Sequence, residues 1–444
     1  MLLGTQTVND RGHLEIGGCD TAELAQTFGT PLYVVDEQTV RDNCRRYVRA
    51  FADAYPGESK VTYAGKAFLI QAMARLVDEE GLGLDVASAG ELHTALTAGF
   101  PAERILMHGN NKSDAEIAMG LDAGIGRFVV DNFFELRRLS AMAQARGKRQ
   151  PILIRVTPGI DPKTHRRIRT GQEDTKFGIN ISEGSALAAV TEALRDLPGV
   201  ELTGIHCHIG SQLLDPHTHE QAIEIMVAFL AEIRATTGYT VADLDIGGGL
   251  GVRYLESQTP PTYEEFAAIL VPKLLTELRK HDLPLPRLWQ EPGRTLVAEA
   301  GTTLYTIGHT KRVLLPEAPG ERFYVSVDGG MSDNPRPQLY DAVYSAMVAN
   351  RAGQAKDKVF TVAGKHCETD ILIWDIALGD TDAGDILAVQ TTGAYNQAMA
   401  SNYNRFTRPA VVFVRNGAAD VVVERETLDD VIRQDRLPAR LRKG

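Results

Sequence analysis

Four residues with chemically useful side chains stand at the ends of short apolar runs: Lys66, Asp85, His208 and Glu291. A lysine amine can form an imine with a carbonyl group, an imidazole can move a proton, and a carboxylate can hold a cationic ring nitrogen. Lys66 follows the run VTYAG, and a lysine in such a place ordinarily extends its ammonium back to water. The pattern therefore predicts either an ordinary strand end or a lysine held at a reactive site.

Glycine also marks two strand ends: the segment GGGLG follows one strand at residues 247–251, and in EPGR, residues 291–294, a glycine lies close to Glu291. Glycine lets backbone N–H groups approach a phosphate closely, although glycine-rich turns are also common where no ligand binds. A lysine, a carboxylate and an anion cradle at strand ends together fit an enzyme that uses pyridoxal 5'-phosphate. In that case Lys66 would form the imine with the cofactor, and an acid would hold its pyridinium nitrogen.

The elements that must position these side chains are eight short apolar runs separated by amphipathic helical patterns. The runs cover residues 61–65, 82–87, 104–108, 127–131, 151–156, 201–208, 242–247 and 287–291. Eight strands alternating with helices predict an α/β fold, a (β/α)8 TIM-type barrel of roughly 250 residues. Because the active site of such a barrel lies at the carboxyl ends of its strands, we expect these side chains to meet on one rim.

The pattern changes after residue 300 to β-rich runs without long helices, which predicts a C-terminal all-β domain. We predict an N-terminal segment over residues 1–30 that packs with the β domain, and a cofactor-binding barrel over residues 31–285. The last barrel strand and the β domain would then occupy residues 286–444. The polar stretch 161–178 is too long for an ordinary strand-to-helix connection, so it is either a disordered insertion or a loop near the active site.

Length and charge restrict the class of protein. At 444 residues the chain exceeds the size at which one core usually stops growing, which favours two domains. A net charge of −11 argues against a nucleic-acid surface, because phosphate binding requires a basic face. A small-molecule partner is therefore expected, and no nucleic acid.

The sequence also predicts a cytoplasmic protein that has no membrane partner. No apolar run reaches the roughly 18 residues needed to span a bilayer, and the start of the chain lacks the basic and apolar segments of a signal peptide. The four cysteines show no CxxC spacing, so neither a disulfide framework nor a metal site is predicted. They are Cys19, Cys44, Cys207 and Cys367.

Nine motifs, in order between about residues 25 and 415, resemble those of the diaminopimelate decarboxylases, which are alanine-racemase-like, fold-III pyridoxal phosphate enzymes. They read YAGKA, LDVASAGEL, HGNNKS, KFGI, HCHIGSQ, DIGGGLG, EPGR, CETD and GAYNQAMASNYN. The combination is far more specific than any single motif. The resemblance implies decarboxylation of meso-2,6-diaminopimelate to L-lysine and CO2, the last step of lysine biosynthesis, with pyridoxal 5'-phosphate as cofactor.

The resemblance also implies a set of site residues. The catalytic residues would be Lys66, Cys367, His208 and Glu291. The cofactor would be bound by Lys66, Asp85, His208, Ser211, Gly248, Gly249, Glu291, Pro292, Gly293, Arg294 and Tyr395. The substrate would contact Arg294, Arg336, Tyr340, Glu368 and Tyr395.

In this family the resemblance makes Lys66 the lysine that binds the cofactor covalently, His208 the imidazole stacked on its ring, and Glu291 the partner of its ring nitrogen. Cys367 would be the candidate proton donor and Glu368 would face the substrate, both reaching the site of the other subunit of a homodimer. On its own, a single cysteine is more often a small buried apolar residue.

Three other functions stay open at this point. A decarboxylase of ornithine, lysine, arginine or carboxynorspermidine would have the same fold, but a diamine product needs no arginine for a distal carboxylate. Arg294 and Arg336 match a carboxylate through their planar forks, although both could instead bridge domains. A catalytically inactive regulatory relative is a second alternative, disfavoured by the retention of Lys66, Cys367 and Glu291. A racemase is the third, disfavoured because its second domain should supply a tyrosine base and not a Cys-Glu pair.

Overall fold

The computed structural model of the protein describes residues 1–160, 172, 174–315 and 320–442, so most of the predicted loop 161–178 lies outside the described residues. The chain divides into two compact units. The β unit consists of Met1–Thr39, Tyr254–Glu256 and Ala298–Gly444, and the barrel unit of Val40–Arg253 and Ser257–Val297.

The strands of the described residues are numbered in chain order. They are β1 (Thr7–Val8), β2 (Leu14–Ile16), β3 (Cys19–Asp20), β4 (Leu32–Asp36), β5 (Ser59–Ala64), β6 (Gly83–Val86), β7 (Ile105–Met107), β8 (Arg127–Val130), β9 (Gln150–Thr157), β10 (Ile179–Asn180), β11 (Val200–His206), β12 (Asp243–Asp245), β13 (Arg287–Gln290), β14 (Gly301–Leu314), β15 (Glu321–Val327), β16 (Ala346–Val348), β17 (Lys358–Ala363), β18 (Ile371–Leu378), β19 (Ile386–Gln390), β20 (Ala410–Arg415) and β21 (Ala418–Val423).

The α-helices are numbered in the same way. They are α1 (Thr21–Phe28), α2 (Glu37–Ala54), α3 (Gln71–Glu79), α4 (Ala89–Thr97), α5 (Asp114–Ala123), α6 (Phe133–Gln144), α7 (Ser185–Arg195), α8 (His217–Thr237), α9 (Tyr263–Lys280), α10 (Arg294–Val297), α11 (Arg336–Tyr340) and α12 (Leu428–Ile432).

The barrel unit contains a closed ring of eight parallel strands, as the sequence predicts. The strands follow one another in the order β9, β11, β12, β13, β5, β6, β7 and β8, and β8 pairs with β9 to close the ring. The short strand β10 adds to the outside of this order by pairing with β9. The eight strands lie where the eight apolar runs predicted them, and the prediction of a TIM-type barrel is confirmed.

Apolar packing and helix capping explain why these residues form a barrel. Leu106, Val129, Leu153 and Trp289, from four different barrel strands, form one buried cluster. Layers of this kind fill the interior of such barrels. Four helices between the strands, α4, α5, α6 and α9, begin at polar caps; α5, for example, starts with a reciprocal Ser113 and Glu116 capping box.

The β unit is built around the long strand β14, which pairs with β15, β19 and β4. Strand β4 lies between β14 and β20, antiparallel to the first and parallel to the second. Near the start of the chain β1, β2 and β3 form a separate three-stranded sheet. The buried core of this unit joins residues from both ends of the chain, such as Leu14, Leu32, Leu304 and Val412.

The helices of the described residues were also compared with the length and hydropathy that a bilayer requires. None of them is both long enough and apolar enough to cross a membrane.

Candidate active site

Lys66 follows the first strand of the barrel ring at its carboxyl end. Strand β5 ends at Ala64, and Lys66 lies in a single 3-10 turn, Gly65–Ala67, with its side chain exposed. Gly65 packs so closely that a Cβ atom there would lie 2.7 Å from the carbonyl oxygen of Asp85. The turn therefore packs closely against the neighbouring strand β6 and leaves Lys66 exposed.

Asp85 lies near the end of β6 and is buried, with 4% of its surface exposed. Burial raises the pKa of its carboxyl above the usual value, and interactions with His108 and Lys66 oppose that shift. The positive charge of Lys66 thus acts on the Asp85 carboxyl. These two predicted site residues share one environment on the rim.

Glu291 comes directly after β13, and both of its carboxylate oxygens have histidine partners. His108 Nε2 lies 2.8 Å from Oε1, and His206 Nε2 lies 3.1 Å from Oε2. Burial acts to raise the pKa of this carboxyl, but the two histidines hold it well below its usual value. The same three side chains have the composition of a metal site. Their separations of 2.8 and 3.1 Å are those of N–H···O hydrogen bonds.

His208 lies two residues beyond the end of β11, on the same rim. Burial first, and then the nearby positive charge of Lys66, lower its pKa well below the usual value of imidazole. Its Nδ1 atom accepts a hydrogen bond of 3.4 Å from the backbone N–H of Gly248. His208 is therefore a neutral ring that joins the end of β11 to the glycine segment after β12.

The glycine segment after β12 can exist only with glycine at its centre. A Cβ atom at Gly248 would lie 2.2 Å from the carbonyl oxygen of Glu291, a distance that no side chain tolerates. Gly249 has a φ angle of +122°, and a Cβ atom there would lie 2.6 Å from the carbonyl oxygen of Gly210. The backbone of this segment therefore lies directly against the strand ends beside it.

The EPGR segment follows β13 and packs against the end of β5. The carbonyl oxygen of Pro292 accepts a hydrogen bond of 3.1 Å from the N–H of Ala64, at the end of β5. Arg294 is buried, and its Nε atom donates to Ser211 Oγ over 3.1 Å. A Cβ atom at Gly293 would lie 3.0 Å from Ala64 Cβ, so this glycine also permits close packing.

The remaining predicted residues belong to the β unit. Arg336 begins α11 and Tyr340 ends it. The Arg336 guanidinium is 5% exposed and lies beside three tyrosine rings, of which the Tyr395 ring is 6.0 Å away. Its Nη1 atom donates to the hydroxyls of Tyr254 and Tyr344. Arg336 and Tyr395 are therefore brought together.

Cys367 and Glu368 lie in an exposed loop just before β18. The N–H of Cys367 donates to Asn404 Oδ1 over 3.0 Å, and the hydroxyl of Tyr403 donates to Glu368 Oε1 over 2.5 Å. Cys367 is the exposed cysteine of the four, whereas the other three are buried. The loop thus presents a thiol and a carboxylate side by side at the surface of the β unit.

Sequence reasoning missed two residues of this site, His108 and His206. Both lie in motifs that resemble those of the family, HGNNKS and HCHIGSQ, but the resemblance assigns a function only to His208. His108 directly follows β7 and His206 ends β11, so their positions at strand ends were the available signal. The partner they share, Glu291, is distant in the chain, which is why the sequence alone did not connect them.

Comparisons with known proteins agree with this geometry. Residues 38–298 match the family model described as pyridoxal-dependent decarboxylase, pyridoxal binding domain. The diaminopimelate decarboxylase of Bacillus subtilis is 47% identical over 435 residues, covering 98% of each chain. The diaminopimelate decarboxylase of Synechocystis is 43% identical over 448 residues, covering 98% of this chain and 93% of its own.

Solved structures give the same result. The structure of diaminopimelate decarboxylase from M. jannaschii in complex with L-lysine matches with a TM-score of 0.91 at 35% identity, covering 99% of this chain and all of its own. A lysine/ornithine decarboxylase from Vibrio vulnificus, at 24% identity and a TM-score of 0.73, shares the fold. The chain belongs to the diaminopimelate decarboxylase family of pyridoxal-dependent decarboxylases.

Proposed function

We propose that this protein decarboxylates meso-2,6-diaminopimelate to L-lysine and CO2, the last step of lysine biosynthesis, with pyridoxal 5'-phosphate as its cofactor. Membership of the family supports the reaction class. The observation that carries the choice of substrate is Arg336, a buried guanidinium whose hydrogen-bond partners are two tyrosine hydroxyls. Among the residues that the structure describes, Arg336 has no acidic partner, and a buried cation of this kind is suited to bind an anion.

The residues of the barrel rim fit the cofactor. The glycine segment after β12 leaves no room for a Cβ atom at Gly248 or Gly249, which is the property of a backbone cradle for phosphate. Ser211 and the EPGR backbone lie beside it and would complete the phosphate site. Lys66 presents an exposed amine on the same rim, and Glu291 presents a buried carboxylate for the ring nitrogen.

Each part of the proposed reaction can be assigned either to the cofactor or to a particular side chain of the barrel unit. When bound, pyridoxal 5'-phosphate supplies a sink for the electron pair released as the bond to the carboxylate breaks. Glu291 would keep a proton on the ring nitrogen, and neutral His208 would pack on the ring without adding charge. Lys66 would hold the cofactor covalently until the substrate amine replaces it, with Asp85 beside the lysine.

Proton delivery and substrate recognition are assigned to residues of the β unit. Cys367 would donate the proton from Sγ to the carbon that has lost its carboxylate. Glu368 would face the distal ammonium of the substrate, and Arg336, with Arg294 of the barrel unit, would bind its distal carboxylate. Tyr340 and Tyr395 complete the predicted substrate contacts.

Two further predictions concern the assembly and the location of the protein. One is the homodimer, in which Cys367 and Glu368 of each subunit would complete the site of the other. The second is a cytoplasmic location, which fits a biosynthetic enzyme of amino acids. Both are proposed here on the strength of the family resemblance.

A side-by-side assay of CO2 release tests the proposed substrate. Purified enzyme is supplied with meso-diaminopimelate, L-lysine, L-ornithine or L-arginine, each over a range of concentrations, and kcat/KM is compared. We expect meso-diaminopimelate to be strongly preferred, since the other three lack a distal carboxylate for Arg336. A higher kcat/KM for ornithine or lysine would contradict the substrate while leaving the cofactor assignment intact.

A further inference from the structure

Glu291 and its two histidine partners form a cluster, here called the histidine clamp: His108, His206 and Glu291. Each carboxylate oxygen has one imidazole nitrogen at hydrogen-bond distance, 2.8 Å for His108 and 3.1 Å for His206. The two imidazole rings meet edge to face, with centroids 5.0 Å apart. The carboxylate is therefore held from two directions, which restricts its rotation about the last side-chain bond.

The hydrogen-bond pattern determines the proton position on His206. This side chain is fully buried, its Nε2 atom faces the carboxylate, and its Nδ1 atom has no hydrogen-bond partner in the part of the chain that the structure describes. A carboxylate only accepts hydrogen bonds, so the proton of His206 must lie on Nε2. Burial lowers the pKa of His206 to about 4, consistent with a neutral ring that donates one N–H.

Because Glu291 is buried, its carboxylate needs hydrogen-bond donors to remain charged. Asp85, near the end of β6, and Asp245, at the end of β12, are both buried, and burial raises the pKa of each carboxyl. Glu291 is similarly buried, yet its pKa is held well below the usual value. Without donors to its oxygens, a carboxylate in this environment would take up a proton, because burial disfavours the charged form.

We propose that His108 and His206 are positioning residues that keep Glu291 an oriented carboxylate, so that the ring nitrogen of the cofactor meets an anion. The inference rests on the proposed role of Glu291 toward the cofactor and adds the two residues that make that role workable. A carboxylic acid at this place would not stabilise a protonated ring nitrogen, and the electron sink would be weakened. His108 and His206 act through Glu291 and need not touch the substrate.

The test is the 15N chemical shift of the cofactor ring nitrogen in the intact holoenzyme. Wild type and variants are reconstituted with pyridoxal 5'-phosphate labelled with 15N in the ring, and all spectra are recorded at one neutral pH. The variants are His108→Leu, His206→Leu, the double variant, and Glu291→Gln. His219→Gln serves as the matched control, since His219 is a buried histidine of the barrel unit whose Nε2 atom lies 3.3 Å from the carbonyl oxygen of Gly248.

We expect each leucine variant to move the 15N resonance part of the way toward the value of an unprotonated ring nitrogen, and the double variant to move it further. In parallel, kcat should fall more than KM rises, because substrate contacts are unchanged. The His219→Gln control should keep the wild-type shift. Leucine variants that bind the cofactor with a wild-type shift, while Glu291→Gln moves it, would overturn the inference.

A second pair of variants keeps the test decisive if leucine prevents folding. At position 206, glutamine can place an amide N–H near the position of imidazole Nε2, whereas asparagine is one methylene too short. His206→Gln should retain the wild-type 15N shift, and His206→Asn should move it. Equal shifts for the two amides would contradict the clamp. If Glu291→Gln itself leaves the shift unchanged, the proposed role of Glu291 is wrong, and this failure is distinct from that of the histidines.

Discussion

Arg336 donates a hydrogen bond from Nη1 to the hydroxyl of Tyr254 over 2.9 Å, and a matching bond of 2.8 Å leads to Tyr344. The two tyrosine rings stand edge to face, with centroids 5.4 Å apart. Hydroxyl partners orient the guanidinium without neutralising it, which a carboxylate partner would do. Among the described residues no acid lies within ion-pair distance of Arg336, so its charge stays available for a bound anion.

Removal of the Tyr254 hydroxyl should weaken recognition of the distal carboxylate. In Tyr254→Phe we expect a higher KM for meso-diaminopimelate with a loss of roughly 1.5 to 3 kcal/mol, the usual contribution of a hydrogen bond to a charged group. Arg336→Ala should lose more, roughly 2 to 5 kcal/mol, and Arg336→Lys should recover only part of it, since a point charge does not replace the fork. Steady-state kinetics with meso-diaminopimelate and L-lysine measure the change in discrimination.

Tyr239→Phe is the matched control for loss of a tyrosine hydroxyl, because that hydroxyl donates to the backbone carbonyl of Leu202 in the barrel unit. It should leave the KM unchanged. Unaltered kinetics with meso-diaminopimelate in both Tyr254→Phe and Arg336→Ala would rule out Arg336 as the carboxylate partner.

Lys66→Ala should abolish turnover and remove the long-wavelength absorbance of covalently bound cofactor. Lys66 is exposed on the rim that carries Asp85, His208 and Glu291, and it acts electrostatically on Asp85 and His208. Absorbance spectra of the purified variant, before and after addition of pyridoxal 5'-phosphate, measure the result. A variant that keeps the absorbance would refute the assignment of Lys66.

Lys112 provides the control for this experiment. Its ammonium is buried and donates to Glu135 and to two backbone carbonyls, those of Gly109 and Val129. Lys112→Met would leave Glu135 as a buried unpaired charge, so we expect a loss of roughly 3 to 5 kcal/mol in the free energy of unfolding. Below its unfolding temperature the variant should still bind the cofactor covalently.

Cys367→Ala should lower kcat by roughly 10²- to 10⁴-fold, the usual contribution of a positioned proton donor, while the cofactor spectrum stays intact. The thiol is exposed in the loop before β18, as proton transfer to a substrate requires. Cys19→Ala removes a buried thiol of the same unit and should keep the wild-type kcat. Full activity of Cys367→Ala would leave this residue without a catalytic role.

Mixing the Lys66→Ala and Cys367→Ala variants tests whether subunits share sites. If each site takes Lys66 from one subunit and Cys367 from the other, some hybrid dimers hold one intact site and part of the activity returns. Hybrids separated by two different affinity tags should show this activity. Verified hybrids that stay inactive would argue for sites built within one subunit.

Buried histidines should make stability fall in acid. Burial lowers the pKa of His219 to about 4, compared with 6.5 for a free imidazole. Between these values the unfolded chain binds a proton that the native state does not, so the free energy of unfolding decreases as pH falls from 6.5 toward 4. Each such group contributes up to about 3 kcal/mol over this window.

His219→Gln removes one of these groups and should flatten the dependence of stability on pH. Urea unfolding of wild type and variant at several pH values between 4 and 7 gives the two slopes, which we expect to differ by about 1.4 kcal/mol per pH unit. Parallel slopes would show that His219 is protonated in the native state.

The eight barrel strands could be predicted because each is a short apolar run between amphipathic helices. The partners of strand β4 could not, since Leu32–Asp36 reads like any buried strand and its neighbours, β14 and β20, lie far along the chain. Local sequence favours a strand, but long-range pairing decides which sheet receives it.

Contacts between residues far apart in the chain also limited how much of the candidate site could be predicted. Strand-end position singled out Lys66 and Glu291, because a charged group after an apolar run is unusual. The histidine clamp was not predicted, since His108 and His206 are 183 and 85 residues from Glu291 and a single histidine has no visible partner in a sequence.

Strand β4 also has a consequence for the order in which the protein is made. Its neighbours, Gly301–Leu314 and Ala410–Arg415, leave the ribosome only after the whole of residues 40–297. The barrel unit can therefore form cotranslationally. During this time Leu32–Asp36 has neither partner strand, so both of its edges are unpaired and exposed. In the cell, a chaperone that binds nascent chains would meet this early strand for the longest time.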